Sequence, residues 1–192
     1  MGRRVVSVND EIPMDRLLVV VTGADRGDIS HAPGTHYVDG RELSELPFCE
    51  LLTAVTDDLT PYLANEGTGL YVVCQRVIKA GTANVYALFP LVRRADKTHA
   101  ESDAHWRDTH AALALAHHRA MTHYVQLSVL ATLQGSPYDG FALCGFQSLD
   151  DLKQRFYTTP SSRQVITEDV SKFADLERSP RRLIAKPHVI VG

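Results

Sequence analysis

Cysteine is scarce. Cys49, Cys74 and Cys144 are the three in 192 residues, odd in number, far apart and outside any C-x-x-C spacing. That excludes a disulfide framework or a Cys-ligated zinc site and leads us to expect buried, reduced thiols in the cytoplasm. Long apolar runs are missing as well: none nears the roughly 18 residues of a membrane span. Arg3 and Arg4 give way to Asn9, Asp10, Glu11 and Pro13 before any core of signal-peptide length. Neither sign of charge dominates, since 20 basic and 23 acidic residues interleave to a net charge of −3. No face is therefore built to neutralise phosphates, and nucleic acid is not an expected partner. The local cluster Arg178, Arg181, Arg182 and Lys186, flanked by Glu177 and Pro180, reads as a solvated strand entrance without a role. What remains is ordinary globular composition, 44% hydrophobic and 22% charged. It suffices for one large domain or two of about 90 residues.

The run Leu17–Val21, short and β-branched before Gly23, predicts a buried strand. Gly23 to Gly40, glycine-rich and aperiodic, reads as a long loop. Within it, Val21-Thr22-Gly23-Ala24-Asp25-Arg26-Gly27 imitates the start of a nucleotide-binding loop. Asp28-Ile29-Ser30 supplies no third glycine and Pro33 interrupts the helix that should follow, so a flexible turn is the better account. A helix is expected from about Ser44 to Pro61, with Leu51, Leu52, Val55 and Leu59 at near-helical spacing. Residues 69–80 and 85–94 read as strands, with Gly81 to Asn84 either a hairpin turn or a boundary between halves.

Thr98-His99-Ala100-Glu101 has the form of a capping box and opens a helix that runs through the alanine-rich segment Ala111–Ala116 to about His118. Strands are expected over Met121–Leu133 and Phe141–Phe146 around the turn Gly135–Gly140. Ser148 should cap one further helix and Thr159-Pro160 another, before a last strand over Leu183–Val191. Pro187 inside that strand implies an edge position or a bulge. From Val85 onward the order is strand, helix, strand, strand, helix, strand. That is the ferredoxin-like βαββαβ arrangement of an α+β fold, whose uncovered sheet face must meet a second sheet to close a barrel with a cavity between them.

His105-Trp106-Arg107-Asp108-Thr109-His110-Ala111-Ala112-Leu113 resembles the Tyr-Trp-x-x-x-His-x-Pro-Leu helix of EthD proteins, and Met121 to Gln126 resembles the strand that follows it. Pro137-Tyr138-Asp139-Gly140-Phe141 is similar to the family's Tyr-Asp-Gly turn, Phe146 to Leu152 to its strand-to-helix step, and Asp169 with Phe173 to its Asp-x-x-x-Phe signature. Ser102, Ala112 and His105 stand where the family usually places Phe, Pro and Tyr. The resemblance implies a dimeric α+β barrel, cytosolic and usually homodimeric. It also implies an association with oxidative breakdown of small organic compounds such as ethers, or with tailoring of polyketide-like aromatics. The expected division is an EthD-like domain over residues 83–192 after an N-terminal α/β region over 1–82. That region is either a degenerate second half, which would close the barrel within one chain, or an extension, which would call for a homodimer; the homodimer is favoured.

Trp106, His110, Leu113 and His117 recur at i, i+4, i+7 and i+11 and so share one face of a regular helix. An imidazole there can shuttle protons at a bound ketone, phenol or hydroxyl, beside an indole wall for an aromatic ligand. His110 is the candidate acid/base, with Trp106, His117, Tyr124, Tyr138 and Asp139 as candidate substrate contacts. Asp139 before Gly140 also has the ordinary reading of a turn residue. The nine histidines show no metal spacing in the helix, so no zinc is expected. No cofactor is assigned, although His110 or His117 could serve as the single axial ligand of a heme. The alternative to an enzyme is a ligand-binding or accessory protein for a neighbouring oxygenase.

Overall fold

The computed structural model describes residues 16–41, 46–63 and 67–191. Eight strands form one closed, antiparallel barrel: β1 (Leu17–Gly23), β2 (Gly34–Asp39), β3 (Glu50–Thr56), β4 (Gly69–Lys79), β5 (Val85–Leu91), β6 (His123–Gln134), β7 (Gly140–Phe146) and β8 (Leu183–Ile190). Their order around the barrel is β1-β3-β2-β8-β5-β7-β6-β4, with β4 pairing back to β1. Counted within each half, β4-β1-β3-β2 and β8-β5-β7-β6 have the same order, fourth-first-third-second. The halves are joined at two seams, β2 with β8 and β4 with β6.

Alternation along the strands sorts side chains into two layers. In β1, Leu18 and Val20 point into the barrel while Val19 and Val21 point outward. The interior is packed with aromatics, among them Tyr37, Phe48, Tyr71, Tyr86, Tyr138 and Phe141. Edge-to-face pairs such as Tyr71 with Phe141, centroids 5.2 Å apart, hold them in place. Each such side chain contributes about 1.5–3 kcal/mol by burial.

The outward face of the second half is roofed by helices: α1 (His99–His105), a π-helical turn (Trp106–His110), α2 (Ala111–His117), α3 (Leu149–Gln154) and α4 (Pro160–Val170). The caps are those the sequence implies. Thr98 and Glu101 form the capping box, Ser148 accepts from the Asp151 amide, and Thr159 accepts from the Ser162 amide with Pro160 in the first turn. The first half has no such roof among the described residues. Its outward residues Val19, Val21, Leu52, Ala54 and Leu70 pack under Ile29 and Ala32 of one loop and Tyr62 of a short 3-10 turn (Thr60–Tyr62).

Several expectations are corrected. The stretch read as loop contains β2, because Thr35 to Val38 are sheltered by β3 and β8 on either side. Residues 50–56 form β3 and not a helix: lying between β1 and β2, the strand buries both faces, so its apolar run imitates helical spacing. Ser44 lies outside the described residues. Gly81 to Asn84 is not a hairpin turn, since β4 pairs with β1 and β6 while β5 pairs with β7 and β8. No helix follows Gly27, in keeping with rejection of the nucleotide loop. β8 is not an edge strand, but Pro187 pairs only with Tyr37 of β2, beyond Ala185, where pairing with β5 ends. Its missing N–H therefore costs no ladder bond on the β5 side. Of the thiols only Cys144 is buried; Cys74 is exposed on the outer face of β4, and Cys49 is intermediate. The barrel closes within one chain, and its interior is a packed core where a cavity between facing sheets was expected.

Candidate active site

A cavity of about 380 Å³ lies outside the barrel, between the helical roof and the outer faces of β5 and β7. Trp106, His110, Ala114 and His118 line it from the long helix, Phe89, Tyr124, Ala142 and Cys144 from the sheet. Phe156, Phe173 and the segment Ser179–Arg182 complete the wall. The lining is mostly apolar and aromatic with a few convergent polar groups, the usual make-up of a small-molecule site.

The helix reaches this geometry through its π-helical turn. The Ala111 amide bonds to the Trp106 carbonyl, so one turn takes up an extra residue. Such insertions shift the helical face and recur at functional sites. A regular helix would present Trp106, Leu113 and His117 together; the wider turn instead brings Trp106, His110 and Ala114 into line. His117 faces away from the cavity lining and bonds through Nδ1 to Ser162 Oγ at 2.9 Å. His118, next in the chain, takes the cavity position.

His110 is 8% exposed, and its Nδ1 lies 2.9 Å from Asp169 Oδ2. Asp169 is itself buried, and its other oxygen accepts from His105 Nε2 at 2.9 Å. Burial alone would raise the Asp169 pKa, but the bonds from His105 and His110 outweigh it and hold the carboxyl below its ordinary value. A carboxylate facing Nδ1 fixes the imidazole with the proton on Nδ1 and the lone pair on Nε2. Burial lowers the pKa of His110 by more than Asp169 raises it, so the ring is neutral at physiological pH. Phe173 stacks on His105 at 5.4 Å and lies 5.2 Å from His110. The Asp-x-x-x-Phe pair thus orients two imidazoles.

Burial pushes His118 down to about 4, and its Nδ1 donates to the Phe156 carbonyl at 2.6 Å. The Cys144 thiol is pushed up to about 12 by burial, too high for a thiolate nucleophile. Arg182 brings the cationic group. Its guanidinium sits 5.1 Å from the Phe156 ring and 5.8 Å from Phe89, with no carboxylate partner among the described residues. Burial lowers its pKa, though an arginine stays charged.

Of the sequence candidates, Trp106, His110 and Tyr124 line the cavity and His117 does not. Tyr138 packs inside the barrel against Phe141 and Phe48. Asp139 accepts the Arg93 amide at 2.8 Å and lies 3.2 Å from His99 Nδ1, in a structural corner. His118, Asp169 and Arg182 were not singled out as site residues. Arg182 belongs to a basic cluster that reads as a solvated strand entrance, and its place against the Phe156 and Phe89 rings is set by the fold with no signal in the sequence.

Residues 94–177 match the model of the EthD domain. No curated protein matches the chain. Among solved structures it is similar to an anthrone oxidase-like protein, with a TM-score of 0.56 and 10% identity over 90% of this chain and 91% of that one. At this identity the likeness concerns the fold alone. Also similar is a candidate monooxygenase from Lactobacillus acidophilus NCFM, with a TM-score of 0.48 and 8% identity over 90% of this chain and 93% of that one, too low a score to bear on function.

Proposed function

We propose that the chain, whose residues 94–177 match the EthD domain model and lie in a closed antiparallel barrel, is a small-molecule enzyme of oxidative metabolism that acts on a flat phenolic or polycyclic aromatic compound. The observation that carries the reading is His110, held by Asp169, at the wall of a mostly apolar cavity that includes several aromatic rings. Trp106, Tyr124, Phe89 and Phe156 offer flat apolar surfaces to such a ligand. His110, neutral and with its tautomer fixed, accepts a proton from a phenolic O–H or an acidic ring C–H, and Asp169 stabilises the resulting imidazolium. The negative charge left on the ligand is met by Arg182, whose guanidinium has no competing carboxylate among the described residues. An electron-rich anion of this kind can be oxidised by dissolved dioxygen, and the reading calls for no bound cofactor.

In the same reading the chain divides into two ferredoxin-like halves, 1–82 and 83–192, and the described residues of the first include no α-helix to match those over the second. The common strand order of the halves supports this, and a barrel closed within one chain gives the site no need of a second copy.

The test is oxygen uptake with anthrone, whose conversion to anthraquinone consumes one O2 and releases one water. Turnover by the wild type that falls about 10²–10⁴-fold in His110→Ala supports the reading. Micromolar binding with no chemical change would favour the accessory-protein alternative, and a heme band in the purified protein would replace the cofactor-free route.

A further inference from the structure

We propose that His36, Glu50 and His188 form a binding site for one divalent transition-metal ion of the zinc type, bridging the two halves of the barrel at the β2–β8 seam. The helix histidines alone gave no metal spacing, because this set is assembled from three strands. His36 on β2 and His188 on β8 are direct cross-strand partners, and Glu50 on β3 faces Val38, two residues along β2 from His36 and on the same side of the sheet. Their ligand atoms all lie within 4.8 Å of one another. The rings of His36 and His188 stack with centroids 5.0 Å apart.

The outer contacts are already those a metal site needs. His36 Nε2 lies 2.8 Å from the Ala32 carbonyl, to which it donates, so Nδ1 is the nitrogen turned toward Glu50. A ligating histidine characteristically donates its other N–H to a carbonyl in this way. Glu50 accepts the Gly27 amide on Oε2 and offers Oε1 toward His36 at 2.7 Å. A divalent cation bound by Nδ1 and Oε1 would displace the proton they share and leave the site one unit more positive. His36 and Glu50 are buried whereas His188 is exposed, which gives an entry path and leaves a fourth position open to water. Two histidines and one carboxylate with an open position is a recognised zinc ligand set.

The experiment is calorimetric titration of the full chain with zinc chloride alone, after treatment with a chelator, for the wild type and for His188→Ala. His188 is exposed, so its variant should fold as the wild type does. We expect one ion per chain with a Kd of about 1 μM or tighter, a higher thermal midpoint with zinc, and at least tenfold weaker binding together with no thermal shift in His188→Ala. An absence of binding by the wild type, or equal binding by the variant, overturns the site; the second result would place the ion on other histidines.

Discussion

His110 is governed by two opposing influences whose balance sets its chemistry. Burial disfavours the imidazolium, Asp169 favours it, and burial wins, so Nε2 is an available base throughout the neutral range. If His110 is the base of the proposed reaction, the acid limb of the kcat/KM profile should have its midpoint below the ordinary imidazole value. His118 makes a stability prediction at the same scale. Its folded value of about 4 lies below the unfolded value near 6.5, so from pH 6.5 downward the unfolded chain binds a proton that the fold refuses. Its contribution is intact above pH 6.5 and is lost by pH 4, up to about 3 kcal/mol. Urea denaturation at pH 7 and pH 4.5 should show a smaller acid loss in His118→Gln than in the wild type. His110 was legible in the sequence because Trp-x-x-x-His places both side chains on one helical face. His117 was chosen over its neighbour His118 because the regular helical period was carried past a turn that breaks it.

That turn belongs to the element scale. Trp106 starts the π-helical segment and lays its ring on the sheet above Gly140, where an added Cβ would meet the ring at 2.6 Å. Gly140 does not have positive φ, unlike Gly135 in the same turn, so it is required by space and not by turn conformation. Gly140→Ala should therefore cost about 1–3 kcal/mol by overpacking. A shift in the emission of the single tryptophan should accompany the loss, measured during denaturation. Little change in either would mean that the indole is not seated as described. The helices were legible because their signals are local: Thr98 and Glu101 cap within four residues, and Pro160 sets the first turn it occupies. β2 and β3 were not, because residues 34–39 and 50–56 become strands only through partners elsewhere in the chain. The π-helical turn left no mark in composition or periodicity.

For the molecule as a whole, two sheets of the same strand order close on each other at the β2–β8 and β4–β6 seams, and tyrosine and phenylalanine fill the space between. The need for a second sheet was legible from the uncovered face of the second half. Which sheet supplies it was not, because the first half presents the same strand order with no α-helix among its described residues to advertise it. With the barrel interior packed, an open volume of about 380 Å³ lies beneath the helical roof, beside His110 and Arg182. Ala114 faces that volume from α2, and Ala114→Phe should fill it with little harm to the barrel. The most direct measurement is the quenching of Trp106 fluorescence by a hydroxylated tricyclic aromatic, titrated into the wild type and Ala114→Phe. Saturable micromolar quenching in the wild type and at least tenfold weaker binding in the variant is the expected result. An unresponsive indole, or equal affinity in both proteins, would contradict a ligand site beneath the roof.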